Sequence, residues 1–359
     1  MKLENLILAI NPGSTSTKIA IFNGDKEVFV KNIKHETHEL EGFKKITDQY
    51  EFRKNIILNE LKNNNFDLNF IKIIVGRGGL VKFIPSGVYE VNDAMIADLK
   101  AGINGEHASN LGGLIAHDIA KSISGSQAFI ADPVVVDELD DIARISGHPN
   151  FERVSIFHAL NQKAIARIYA KEIHRKYEDL NLIVVHLGGG ISVGAHFKGR
   201  VIDVNEALNG EGPFSPERSG TLPVGQLAKA CFSGKYTLEE IKKMICGRGG
   251  FVAYLGTNDA YKVELRMMDG DKEAEKIYSA MAYQVSKEIG AMATVLKGDV
   301  DAILLTGGIA NGKPFVERII DRVEYIAPIH VYPSEDEMRA LAMNGHLILT
   351  GEVEAKKYE

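Results

Sequence analysis

The sequence predicts an α/β protein made of two duplicated lobes, and three observations lead there. Apolar runs of strand length alternate with longer stretches of helical periodicity. A strand, glycine turn, strand and hairpin pattern near the start recurs about half a chain length later. The chain has 359 residues, 45% hydrophobic and 25% charged, enough for two domains with a core each.

The repeat comes first. From Leu6 the chain reads LILAINPGSTSTKIAIFNGDKEV, and from Leu182 it reads LIVVHLGGGISVGAHFKGRVIDV. Each is an apolar strand, a Gly/Ser turn, a second strand, a hairpin glycine (Gly24, Gly199) and a third strand. Two such units with matching flanks predict a duplicated domain. Residues 71–75, 128–131 and 302–306 read as short buried strands, and 158–176 and 272–296 as helices. The turn-rich Ser146-Gly147-His148-Pro149 places a boundary near Pro149–Asn150, giving lobes 1–149 and 150–359. No long linker or low-complexity segment separates them, which predicts a tight hinge.

Totals exclude several classes. A net charge of -6 leaves no basic footprint for nucleic acid, so a small-molecule partner is expected and any anionic substrate must be held by local cations. Cys231 and Cys246 are too few for structural zinc or a disulfide framework, and predict reduced thiols in a cytoplasmic protein. The opening apolar run stops at Asn11-Pro12-Gly13. It is too short for a membrane span, and no later stretch reaches about 18 apolar residues.

Three glycine-rich turns carry the chemistry. The first, Asn11-Pro12-Gly13-Ser14-Thr15-Ser16-Thr17-Lys18, joins two strands and offers N–H and hydroxyl donors to an anion. Its bland alternative is a hairpin that needs Gly and Ser only for shape, with Lys18 an exposed strand residue. The second, His186-Leu187-Gly188-Gly189-Gly190-Ile191-Ser192, has three glycines, costly in backbone entropy unless something approaches closely. Val193 stands where a dinucleotide motif would need its last glycine. The third, Thr306-Gly307-Gly308-Ile309-Ala310-Asn311-Gly312-Lys313, nearly spells a P-loop, but Pro314 has no hydroxyl for Mg²⁺. A turn that lets a ligand ring lie against backbone fits better.

Together the three turns resemble the acetate and sugar kinase, Hsp70 and actin superfamily, whose two lobes clamp ATP in a central cleft. Within it, NPGSTSTK, HLGGGIS, TGGIANG and Glu211-Gly212 followed by Arg218-Ser219-Gly220 resemble the acetokinase family over essentially the whole chain. Gly76-Arg77-Gly78-Gly79 has arginine where acetate kinases carry the His of His-Gly-Gly. That form resembles the butyrate kinase branch more than the acetate kinases. The resemblance implies reversible ATP-dependent phosphorylation of a short-chain fatty acid, with butyrate the acid expected and acetate, propionate or branched acids as alternatives. It also implies Mg²⁺, a homodimer or larger homo-oligomer, a carboxylate-substrate side in the N-terminal lobe and an adenosine site in the C-terminal lobe.

A carboxylic acid of pKa about 4–5 is already ionised at neutral pH and needs no general base. The obstacle is repulsion from the γ-phosphate, so the site must supply cations and donors. Arg77 and Arg218 are candidates for the carboxylate and the transferring phosphoryl group, against the alternative of structural ion pairs. Asp132 ends a strand where open α/β sheets place ligands, and resembles the family's metal-linked aspartate; otherwise it is a turn residue before Pro133. His158 starts a helix and resembles a phosphoryl donor, or is a cap-region residue. His186 is a phosphate donor or a packed strand residue. Glu337 resembles a Mg²⁺-linked glutamate, or closes a capping box with Ser334. Asn11 contacts phosphate or metal-bound water, or shapes its turn. The expected nucleotide set is Asn11, Gly13, Ser14, Ser16, Lys18, His186, Gly188, Gly189, Gly190, Gly307, Gly308 and Ile309; the expected metal set is Asn11, Asp132 and Glu337. The rival readings are an Hsp70 or actin type nucleotide module, for whose partner-binding part no residues remain, and a polyphosphate phosphatase.

Overall fold

The first sheet runs β3-β2-β1-β4-β6-β5 and the second β11-β10-β7-β8-β9, in a computed structural model that describes residues 5–333 and 336–359. The strands are β1 (Leu6–Pro12), β2 (Ser16–Asn23), β3 (Lys26–Lys34), β4 (Ile71–Arg77), β5 (Val88–Glu90) and β6 (Gln127–Ala131). The second sheet holds β7 (Asn181–Leu187), β8 (Ile191–Phe197), β9 (Arg200–Val204), β10 (Ala302–Thr306) and β11 (Ile329–Tyr332).

The repeat is a repeat of topology. β1 pairs antiparallel with β2 and parallel with β4; β7 pairs antiparallel with β8 and parallel with β10. The third strand of each hairpin, β3 or β9, lies outside the second, and a further parallel strand, β6 or β11, lies beyond the fourth. β5 adds an antiparallel edge to the first sheet alone. β1 and β7 are central and buried on both faces, which is why they read as continuous apolar runs.

The chain divides into two compact units, Met1–Val136 with Asp336–Glu359, and Asp137–Glu335. This departs from the expected boundary at 149–150 in two ways. Residues past 136 are already tied to the second sheet: Asp140 N–H donates to the Ile202 carbonyl, and buried Lys163 pairs with Glu138 at 2.6 Å. The last helix, Glu337–Thr350, returns to the first sheet. A Cβ on its Gly345 would sit 2.9 Å from Ile7 and from Val75. A single cut cannot express a chain that leaves a unit and comes back.

Helices form where spacing foretold. The helix Ala159–Glu172 starts at the His158 cap, and Lys272–Val295 starts where Asp271 accepts from Glu273 N–H and Ala274 N–H. The latter buries Tyr278, Met281, Val285 and Ile289 in the second core. Four shorter helices between β9 and Lys272 had no sequence signal strong enough to read: Val224–Cys231, Leu238–Ile245, Gly250–Leu255 and Ala260–Met268. Each is under ten residues and amphipathic at best over two turns. Both cysteines are free. Among the described residues no helix is long and apolar enough to cross a membrane.

Candidate active site

In the first unit, Asn11 is the penultimate residue of β1 and Arg77 the last of β4, so neighbouring parallel strands deliver both to the same end of the sheet. The glycines around Arg77 serve packing. A Cβ at Gly76 would fall 2.2 Å from the Gly112 carbonyl of the helix Asn110–Ser122, and one at Gly79 would fall 2.5 Å from the Asn110 side chain. The close helix on one side leaves Arg77 only the strand end to project from. Its Nη2 lies 2.9 Å from Glu337 Oε1, and its Nη1 donates to Glu337 Oε2 at 3.2 Å and to Asn11 Oδ1 at 3.3 Å. Asn11 Nδ2 also donates to Glu337 Oε2. A two-pronged guanidinium–carboxylate contact fixes the plane of Arg77.

Glu337 thus takes a partner that neither of its expected roles named. Ser334 lies outside the described residues; the helix cap that is described is Asp336, whose side chain accepts from Arg339 N–H. Glu337 reaches across to β1 and β4 instead.

Asp132 follows β6 with a φ of 37°, in the left-handed region that a non-glycine residue adopts only at a cost. Its buried Oδ1 accepts from Ser86 Oγ at 2.6 Å and Gly87 N–H at 2.9 Å, which hold the carboxylate in place. In the first glycine turn, Gly13 N–H donates to Ser16 O, while Ser14 and Thr15 are exposed. Lys18 sits directly opposite Asn11 on β2. Under the turn lies a residue that sequence reading missed, Arg53, on the helix Tyr50–Asn63.

In the second unit, the turn Gly188–Gly190 is shaped by two different demands. A Cβ at Gly190 would fall 1.9 Å from Arg218 Nη1, so this glycine makes room for the arginine. Gly189 has no such neighbour: a Cβ there would meet only Glu217, at 3.6 Å. Gly189 is thus the position of the turn open to a ligand. Arg218 Nη1 donates to the Ala207 carbonyl at 2.6 Å, and its buried Nε has no hydrogen-bond partner. Buried donors are seldom left so.

His158 and His186 stack with ring centroids 3.8 Å apart. Ser192 Oγ accepts from Gln162 Nε2 at 2.8 Å and is hydrogen-bonded to His158 Nδ1, also at 2.8 Å. His186 Nδ1 pairs with Asn161 Oδ1 at 2.8 Å.

Beside these lies a cavity of about 480 Å³ lined by Gly188, Gly189, Pro216, Tyr261, Gly308 and Ile309 among others. The paired glycines after β10 have separate jobs. Gly307 has a φ of 92° and a Cβ there would fall 2.3 Å from the Leu187 carbonyl, so it is required by the fold. Gly308 would meet nothing within 4 Å and leaves the wall flat. A volume of a few hundred Å³ with backbone walls and a few polar groups suits a nucleoside. Asn258, Asp259 and Glu264 also line it; they come from the short helices and loops that carried no readable signal.

The fold is of the acetate and sugar kinase, Hsp70 and actin type. The solved acetate kinase of Porphyromonas gingivalis has the same fold, with a TM-score of 0.80 at 18% identity over 96% of this chain and 100% of that one. A sequence profile of the acetokinase family matches residues 152–344. Butyrate kinase 2 of Clostridium acetobutylicum is 58% identical over 98% of this chain and 99% of its own length, and butyrate kinase 1 of the same organism is 57% identical over the same shares. The chain belongs to the acetokinase family.

Proposed function

We propose that the protein transfers the γ-phosphoryl group of ATP to the carboxylate of butyrate, reversibly, forming butyryl phosphate and ADP. The observation that carries this is the likeness, at 58% identity and along nearly the whole chain, to a protein named butyrate kinase. The geometry supports it. Arg77, oriented by Glu337 and Asn11, offers its fork to a carboxylate or phosphoryl oxygens. Arg218 and His158 supply further donors to charge that grows on the phosphoryl oxygens. The turn 13–16 with Lys18, and the turn 188–190 with His186, take phosphates. Gly307, Gly308 and Ile309 border the adenosine. No residue is needed as a base, because butyrate is ionised already.

Among the described residues no three His, Cys, Asp or Glu side chains gather as a metal cage. That suits Mg²⁺ in a nucleotide enzyme, which takes one or two carboxylates and fills its shell with phosphates and water. Asp132 and Asn11 are the residues we assign to it, with Glu337 engaged by Arg77 and acting through that arginine. When bound, Mg²⁺ neutralises phosphate charge. We further propose a cytoplasmic homodimer or larger assembly. Val224, Phe232 and Leu238 of the second unit are 77%, 92% and 68% exposed, apolar side chains that an interface would cover. Sedimentation of the purified chain at its monomer mass would exclude it.

The activity test is direct. With ATP, Mg²⁺ and a series of C2–C6 acids, hydroxylamine trapping should show acyl phosphate with a maximum at butyrate. No acyl phosphate with any of these acids overturns the reading.

A further inference from the structure

Arg53 is 1% exposed, and every one of its N–H groups finds an oxygen. Nη1 donates to the carbonyls of Gly13 at 2.7 Å and Ser16 at 2.9 Å, and to Thr17 Oγ1 at 3.1 Å. Nη2 donates to the Ser14 carbonyl at 2.9 Å and to Gln49 Oε1 at 2.8 Å, and Nε donates to the same Oε1 at 3.1 Å. These contacts tie the carbonyls of Gly13, Ser14 and Ser16 to one guanidinium, on a turn whose Ser14 and Thr15 are exposed.

The second point is charge. All the acceptors are neutral, and among the described residues no carboxylate forms an ion pair with Arg53. Neighbouring His35, which shares Thr17 Oγ1, is itself held neutral, its pKa lowered by burial and then by Arg53. Burial lowers Arg53 to about 10, so it remains charged at neutral pH. Buried cations are normally paired, because an unpaired one is expensive. This one lies directly behind the glycine turn, whose Ser14 and Thr15 are exposed.

We propose that Arg53 is a positioning residue for the N-terminal glycine turn, and that its missing counter-charge is supplied by the phosphoryl group the turn binds. It acts twice: it sets the turn's donors, and it adds a full positive charge behind them that the ligand neutralises. This rests on the kinase reading given above. Gln49 is the lever for testing it. Gln49→Glu keeps the oxygen that Arg53 uses and places a fixed negative charge on it, so the turn keeps its shape and loses its field. Gln49→Met removes the oxygen and adds no charge.

Calorimetric Kd values for ATP and for adenosine, with melting temperatures, decide it. Gln49→Glu should weaken ATP by about ten-fold, the order expected for one charge acting across several ångströms at an effective dielectric of about 20. Its adenosine Kd should not move, and its melting temperature should hold or rise. Gln49→Met should weaken ATP less than Gln49→Glu does, even if it melts lower. If Gln49→Glu binds ATP as the parent does, or if the two variants lose ATP affinity equally, Arg53 is a structural clasp and nothing more. An unaltered protein that makes acyl phosphate while Gln49→Glu keeps its ATP affinity removes this inference alone. An unaltered protein that makes none removes the kinase reading.

Discussion

Replacing Arg218 with alanine is expected to lower kcat by a factor on the order of 10²–10⁴, the range seen when an arginine or oxyanion donor is removed from a transfer site. ATP affinity should change little, because the glycine turns and the cavity hold the nucleotide. The structure sharpens the reasoning. Arg218 spends one nitrogen on the Ala207 carbonyl and keeps a buried Nε without a partner, an arrangement that a purely structural arginine has no reason to maintain. Arg218→Lys should restore little, since a point charge cannot reproduce a planar two-pronged contact. Gly190→Ala should mimic part of the defect, because its methyl group falls on Nη1 and must push the guanidinium aside. A variant that melts lower but turns over at the normal rate would falsify the catalytic role. Kinetics and thermal melts on the same preparations separate the two.

The parts of the fold that were legible in the sequence are those where local chemistry decides structure. Buried parallel strands must be apolar on both faces, so β4, β6 and β10 were read within a residue or two of their ends. The repeat was legible because each hairpin needs its own punctuation, Gly24 and Gly199, both with positive φ. What could not be read is long-range. Nothing in the sequence of residues 336–359 says that they belong to the first sheet; contacts such as the fit of Gly345 against Ile7 and Val75 do. The glycines show the same limit. Gly189 and Gly190 look alike in the sequence, yet one faces open space and the other an arginine 28 residues away along the chain (218 − 190). Arg53 went unnoticed because a lone arginine on a helix usually points to water, and its role depends on carbonyls 37–40 residues distant. Glu337 was read as a Mg²⁺-linked glutamate or a cap partner of Ser334, and the Arg77 contact it makes was named by neither reading.

Arg77→Ala is expected to cut kcat/KM for butyrate by a factor on the order of 10²–10³, with the loss seen for the acid more than for ATP. Glu337 grips Arg77 through both carboxylate oxygens while Asn11 bridges the pair, so the guanidinium is held before substrate arrives. Preorganised charge costs no rearrangement at the moment of transfer, which is where its catalytic effect lies. The side chains of Arg77 and Glu337 are 25% and 17% exposed, so the pair is partly screened and contributes modestly to folding. Glu337→Gln should therefore be milder, roughly ten-fold in kcat/KM, because Arg77 stays in place with a looser hold. The combined change should be little worse than Arg77→Ala alone, since Glu337 acts through the arginine. The competing possibility is that the pair merely staples the last helix to β1 and β4. In that case both single variants should melt lower and exchange the amide hydrogens of Glu337–Thr350 faster, while kcat/KM of the folded fraction holds. Additive losses in kcat/KM would show that Glu337 has a task of its own at the site.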